Sequence, residues 1–288
     1  WLVSPDSQVP ITSLADLHFN SFGAEEGPTG QVTAWVHANY AHDALEAILS
    51  RPPLALPGPY PFDAPIELRT QFPVPLANAF YNFERDEATF FIGAGSSRPN
   101  TAYDTVVMHE WGHFFDDLMG GLGTGSACEG AISLSEATGD GLAMLVAGTP
   151  VIGADFYGPG TALRDYSLFP WEATDGARGR QYDCEDCDTV GGDPEPHDHG
   201  EALAGFAWDL RDLVGPTSAE DLFFGVLASN PSDMQAAVHD MFFLAATPAF
   251  GGSGSPSTSP LAPALYAAAA MHGFDGPVLT DFGSWGCV

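Results

Sequence analysis

The sequence contains no lysine: its eight basic residues are all arginine, set against 38 aspartates and glutamates, for a formal charge of −30. That excess of negative charge repels phosphate backbones and anionic lipid, which excludes nucleic acid and membrane surfaces as partners. It fits a surface adapted to salt, where charges are screened beyond roughly 8 Å, and it also fits carboxylates clustered around calcium. Long apolar runs are missing too. No stretch approaches the roughly 20 residues that a membrane helix requires, so a soluble protein is expected. The chain opens on Trp1 rather than methionine, and we expect a secreted, processed product that has lost a signal peptide and a propeptide. Cysteine is scarce: Cys128, Cys184, Cys187 and Cys287 permit two disulfides, with the pairing left open. A structural zinc site at Cys184 and Cys187 is disfavoured, because no second closely spaced Cys or His pair completes it.

What is present is an ordinary globular balance, 45% apolar and 16% charged over 288 residues, enough to bury a full core without a partner. A monomer is expected. Apolar residues recur at helical spacing over 31–49, ahead of Arg51-Pro52-Pro53, and again over 103–118, where Gly120-Gly121 ends the pattern. Residues 64–72 and 88–93 alternate or carry aromatics, as strands do. A helix is predicted over 131–147, long loops to Pro196, then helices over 200–214, 219–229, 232–246 and 262–272, with a linker-like stretch at 251–260. The expected fold is therefore α+β: a mixed N-terminal lobe over 1–118 and a mainly helical C-terminal lobe over 119–288, with the helix at 103–118 at their junction.

That helix carries His109-Glu110-Trp111-Gly112-His113, an HExxH pattern. Residues four apart lie one turn above each other, so His109 and His113 can share one zinc ion while Glu110 reaches a water instead of the metal. A catalytic zinc needs a third protein ligand. Glu136 is the candidate, on an otherwise nearly apolar helix where a buried carboxylate needs a partner. Asp140, one turn on, can accept the free ring N–H of a ligating histidine. The longer pattern HExxHxxGxxH fails, because Asp116 and Met119 stand where Gly and His would fall.

Together these residues resemble the gluzincin metallopeptidases, in particular the thermolysin-like and fungalysin-like groups. Asn78-Ala79-Phe80-Tyr81, followed by ATFFIGAG, is similar to the family's edge strand over the cleft, where Asn78 and Ala79 would bind a peptide by strand addition. Ala162-Leu163-Arg164 resembles the family's substrate-binding segment, which implies that Arg164 contacts the carbonyl beside the cleaved bond. His197-Asp198-His199-Gly200-Glu201 resembles the fungalysin HxxGE segment and implies that His197, rather than His199, stabilises the oxyanion, with Asp193 preferred to Asp188 as its orienting acid. Val106 and Leu163 would line a pocket for an apolar residue after the scissile bond. The resemblance covers about residues 31–215 and implies a two-lobed zincin architecture. It departs from the family at the oxyanion site: no tyrosine lies between His113 and Glu136 to help hold the oxyanion, and the acid behind His197 is left between Asp193 and Asp188.

The reaction implied is hydrolysis of a peptide or protein by a zinc-activated water, with Glu110 as base and then acid. Two rivals use the same scaffold: a maturation or toxin peptidase with one target, and a non-catalytic calcium-loaded binding protein, for which Glu110 would have no use. The acidic stretch Asp183-Cys184-Glu185-Asp186-Cys187-Asp188 is either salt-adapted surface or a structural calcium site.

Overall fold

In the computed structural model, residues 26–93, 100–121, 131–167 and 196–277 are described. They form a mixed α+β fold. Helix α1 (Glu26–Ser50) starts ahead of the predicted 31–49, because Pro28 is tolerated in a first helical turn. It stops before Pro52-Pro53, whose rings disfavour helical backbone in the preceding residues. Arg51 then fastens this end to the helical half. Its Nε donates to Asp221 at 2.7 Å, and Nη2 donates to Glu220 at 2.6 Å and to the Thr217 carbonyl at 3.1 Å.

Strands β1 (Glu67–Pro75), β2 (Ala79–Asn82) and β3 (Glu87–Ile92) make one sheet in the order β1-β3-β2. The β1–β3 pair is parallel and the β2–β3 pair antiparallel, with Ala79 opposite Phe90 and Asn82 opposite Glu87. The segment 88–93 thus falls on the central strand, and β1 and β2 are the two edges. β1 runs on through Pro73 and Pro75, beyond the predicted end at 72, because an edge strand can face a missing N–H to solvent. Alternate residues Ala79, Ala88, Phe90 and Leu68 turn inward to the core.

Helices α2 (Asp104–Leu118), α3 (Ala131–Ala147) and α4 (Pro196–Val214) stack against one another. Residues 134, 135, 137, 138, 140 and 142–145 of α3 are at most 3% exposed, so this helix is buried on every side. Glycine sets the spacing of the stack. A Cβ on Gly112 of α2 would lie 2.7 Å from the Gly139 Cα of α3, and one on Gly200 of α4 would lie 2.8 Å from the Ser133 carbonyl oxygen. The helices therefore meet backbone to backbone along this seam.

After α3, the region read as loop contains a small hairpin, β4 (Val151–Ile152) with β5 (Arg164–Asp165). Helices α5 (Pro216–Leu227), α6 (Met234–Ala245) and α7 (Ala262–Met271) complete the described chain. α7 is pinned to α4 by a buried pair, His272 Nε2 to Asp209 Oδ2 at 2.8 Å. Buried side chains on both sides of Leu118 form one continuous core. No helix among the described residues is long and apolar enough to cross a membrane.

Candidate metal centre

α2 aims two imidazoles at one point. His109 and His113 are one turn apart, and their Nε2 atoms lie 3.1 Å from each other. Across the glycine seam, α3 brings Glu136 Oε2 to 3.2 Å from His109 Nε2 and 3.5 Å from His113 Nε2. A tetrahedral zinc with ligand bonds near 2.1 Å separates its donors by about 3.4 Å, and these three donors already stand close to that spacing. Glu136 Oε2 is buried and makes no hydrogen bond, although three imidazole nitrogens lie within 3.5 Å of it. A buried carboxylate oxygen without a hydrogen bond is costly. A cation at that point would satisfy it, so the donor set of two imidazoles and one carboxylate fits zinc.

The outer nitrogens of both rings are held. His109 Nδ1 lies 2.6 Å from Asp140 Oδ1, and Asp140 in turn accepts from Arg164 Nε at 2.5 Å, Arg164 Nη2 at 2.6 Å and the Tyr166 hydroxyl at 2.5 Å. His113 Nδ1 lies 2.8 Å from Ser135 Oγ. These contacts turn each Nε2 inward, as supporting hydrogen bonds do at metal sites. The electrostatics of the pocket call for positive charge. Burial opposes protonation of His109, yet Asp140 and Glu136 outweigh it and raise the imidazole to about 10. Burial likewise opposes ionisation of Glu136 and Asp140. The imidazoles of His113 and His109 hold Glu136 well below the usual carboxylate range, and Arg164 and His109 do the same for Asp140.

Beside this cluster lies a cleft of about 460 Å³. The start of β2 contributes Ala79 together with Asn78 just before it, α2 contributes Val106 and Glu110, the β4–β5 hairpin contributes Leu163 and Arg164, and α4 contributes His197. Glu110 is 4% exposed, its Oε2 makes no hydrogen bond, and burial raises its pKa. Arg164 reaches the cleft, but its guanidinium is committed to Asp140, so its first task is to hold that carboxylate.

His197, in the first turn of α4, stacks over His109 at 6.0 Å and sets its Nε2 3.1 Å from Glu136 Oε2. It forms with His109 and Glu136 a second set that could hold an ion. We favour His113 over His197 as the ligand: the His113 side chain is 11% exposed and anchored through Ser135, whereas His197 is 38% exposed at the cleft mouth. His199 is not among the residues lining the cleft.

Sequence reasoning passed over Ser135, Tyr166 and Tyr157. Tyr166 stands two residues after Arg164, the spacing that returns a side chain to the same side of an extended segment. Ser135 gave no signal, because serine is common in helices. Tyr157 lines the cleft on the hairpin loop, after Glu136 rather than before it. Asp193, Asp188, the acidic stretch 183–188 and all four cysteines lie outside the described residues. Compared with models of protein families and with curated proteins, the chain matches none.

Gly139 gives the geometry a direct test. A Cβ there would sit 2.7 Å from His109 Nδ1 and would force the ring off Asp140. Gly139→Ala is expected to cost about 1–3 kcal/mol of stability through overpacking, with loss of bound metal. A melting curve and metal analysis of the variant check both, and an alanine variant with wild-type metal content would refute the close approach.

Proposed function

We propose that the chain is a secreted zinc peptidase of gluzincin type, with the two-lobed zincin architecture and a peptide or protein as substrate. The observation that supports this most is the Glu136 carboxylate oxygen, buried and unbonded among the imidazoles of His109, His113 and His197, with Glu110 next to the first of them. His109, His113 and Glu136 would hold the ion. Zinc bound there supplies Lewis acidity, polarising the scissile carbonyl and making a water more acidic.

The remaining work belongs to the protein. Glu110, raised by burial, takes a proton from the attacking water as the new C–O bond forms. It returns that proton to the nitrogen as the C–N bond breaks, so the carboxylate ends as it began. His197, at the mouth of the cleft, donates its ring N–H to the developing oxyanion. The outer edge of β2 at Ala79, with Asn78 just before it, gives the substrate a backbone to pair with. Val106, Ile152, Phe156 and Leu163 make the apolar part of the wall, which suits an apolar side chain after the cleaved bond. Arg164 and Tyr166 keep Asp140 in place behind His109.

Metal analysis of the purified protein, with hydrolysis of a quenched-fluorescence peptide before and after a chelator, tests the reading. About one zinc per chain is expected, with activity lost on chelation and regained with zinc. His113→Ala is expected to lose nearly all of the metal. Stoichiometric zinc in that variant would falsify the ligand assignment, and a zinc-loaded wild type that cleaves no peptide would defeat the peptidase reading.

A further inference from the structure

One donor of the cluster stands nearer to solvent than the rest. His197 and His109 line the cleft, whereas His113 and Glu136 are not among its lining residues. The His197 side chain is also the most exposed of the four. Yet its Nε2 comes as near to Glu136 Oε2, at 3.1 Å, as the His109 nitrogen does at 3.2 Å, and that oxygen hydrogen-bonds to neither. The ring lies nearly parallel to that of His109, 15° off at a centroid distance of 6.0 Å. Donor atoms of His109, Glu136 and His197, one from each, fall within 4.8 Å of one another. Gly200 makes this placement possible. It follows His197 by three residues, on the same face of α4, and its missing side chain lets the first turn close on α3, where a Cβ would sit 2.9 Å from the Cβ of Glu136.

We propose that His197 is an exchangeable metal ligand, forming with His109 and Glu136 an outer position through which a zinc ion enters and leaves the inner position of His109, Glu136 and His113. The proposal rests on the reading of those three inner residues as ligands. An ion coming from the cleft meets His197 and His109 first. Both positions share His109 and Glu136, so passage between them exchanges a single donor: the bond to His197 Nε2 breaks as that to His113 Nε2 forms. The ion keeps two protein ligands throughout. Without them it would be buried with neither water nor donors, the costliest state for a charge. Once the ion is inside, His197 is released to face the substrate.

The test uses the full chain and zinc alone, with uptake read by stopped flow and release by transfer to an excess of chelator. A donor that lies only on the path changes both rates by the same factor and leaves the equilibrium where it was. His197→Ala is therefore expected to slow uptake and release alike by about tenfold, with the dissociation constant within about threefold of wild type. His197→Phe, which keeps a flat ring over His109 without a ligand atom, is expected to be as slow. Faster exchange in His197→Ala would make His197 a plug, and weaker binding through faster release alone would make it a permanent fourth ligand; either result overturns the proposal. The outer position is read directly in His113→Ala, which is expected to take up zinc weakly when the ion is supplied in excess and to lose that binding when His197→Ala is added. Equal residual binding with and without His197 would also overturn it. A zinc-loaded wild type that cleaves no peptide, beside the slowed variants, would support the proposal and defeat the peptidase reading alone. A wild type that takes up no zinc overturns the proposal together with the ligand reading.

Discussion

Replacing Glu110 by glutamine is expected to lower peptide turnover by about 10²–10⁴-fold, while zinc content and melting temperature stay at wild-type values. The side chain is 4% exposed, its Oε2 makes no hydrogen bond, and burial keeps its pKa above the ordinary carboxylate value. A base in that setting holds a proton more readily than an ordinary carboxylate. Glutamine preserves the shape and cannot accept the proton of the attacking water. At Oε2 there is no hydrogen bond to lose. Steady-state kinetics on a quenched peptide, with metal analysis of the same sample, separate the outcomes. Turnover within a few fold of wild type would remove Glu110 as the base.

The second large effect is one of stability. Asp140→Ala is expected to cost the metal-free protein about 3–5 kcal/mol. Asp140 is 3% exposed and accepts from His109, twice from Arg164, and from Tyr166. Its removal strands the guanidinium of Arg164 and the Tyr166 hydroxyl in the interior. The cost comes mainly from what is left behind, so removing the opposite charge as well, in Asp140→Leu with Arg164→Met, is expected to recover much of the loss. Urea unfolding of the metal-free single and double variants measures this. A single variant within 1 kcal/mol of wild type, the lower end of what a buried unsatisfied group costs, would mean that water or another group takes over the role of Asp140.

Much of this arrangement could be read from the chain because it depends on local periodicity. The four-residue step from His109 to His113 is a property of any helix, and a carboxylate on a nearly apolar helix signals a buried partner. The helices at 103–118 and 131–147 follow the same regularity, and their observed ends agree to within one residue. Long-range approach is a different matter. Nothing in Gly112 or Gly139 announces that they face each other, because an isolated glycine in a helix more often weakens it than marks a contact. Strand β2 is only Ala79–Asn82, too short for an alternation to stand out, and it was reached through resemblance rather than pattern. The extension of β1 through two prolines depends on its edge position, which only the assembled sheet reveals. Ser135 became visible as a support for His113 only once α2 and α3 were side by side.

The glycine seam also constrains motion. Where α2 crosses α3 at Gly112 and Gly139, and α3 meets α4 at Gly200, the main chains are already at van der Waals distance. Thermal fluctuation there is rectified: the helices can breathe outward but have nowhere to move inward. The distance from the rings of α2 to the carboxylate of α3 therefore has a hard lower limit and a soft upper one. Heat lengthens it and pressure can hardly shorten it.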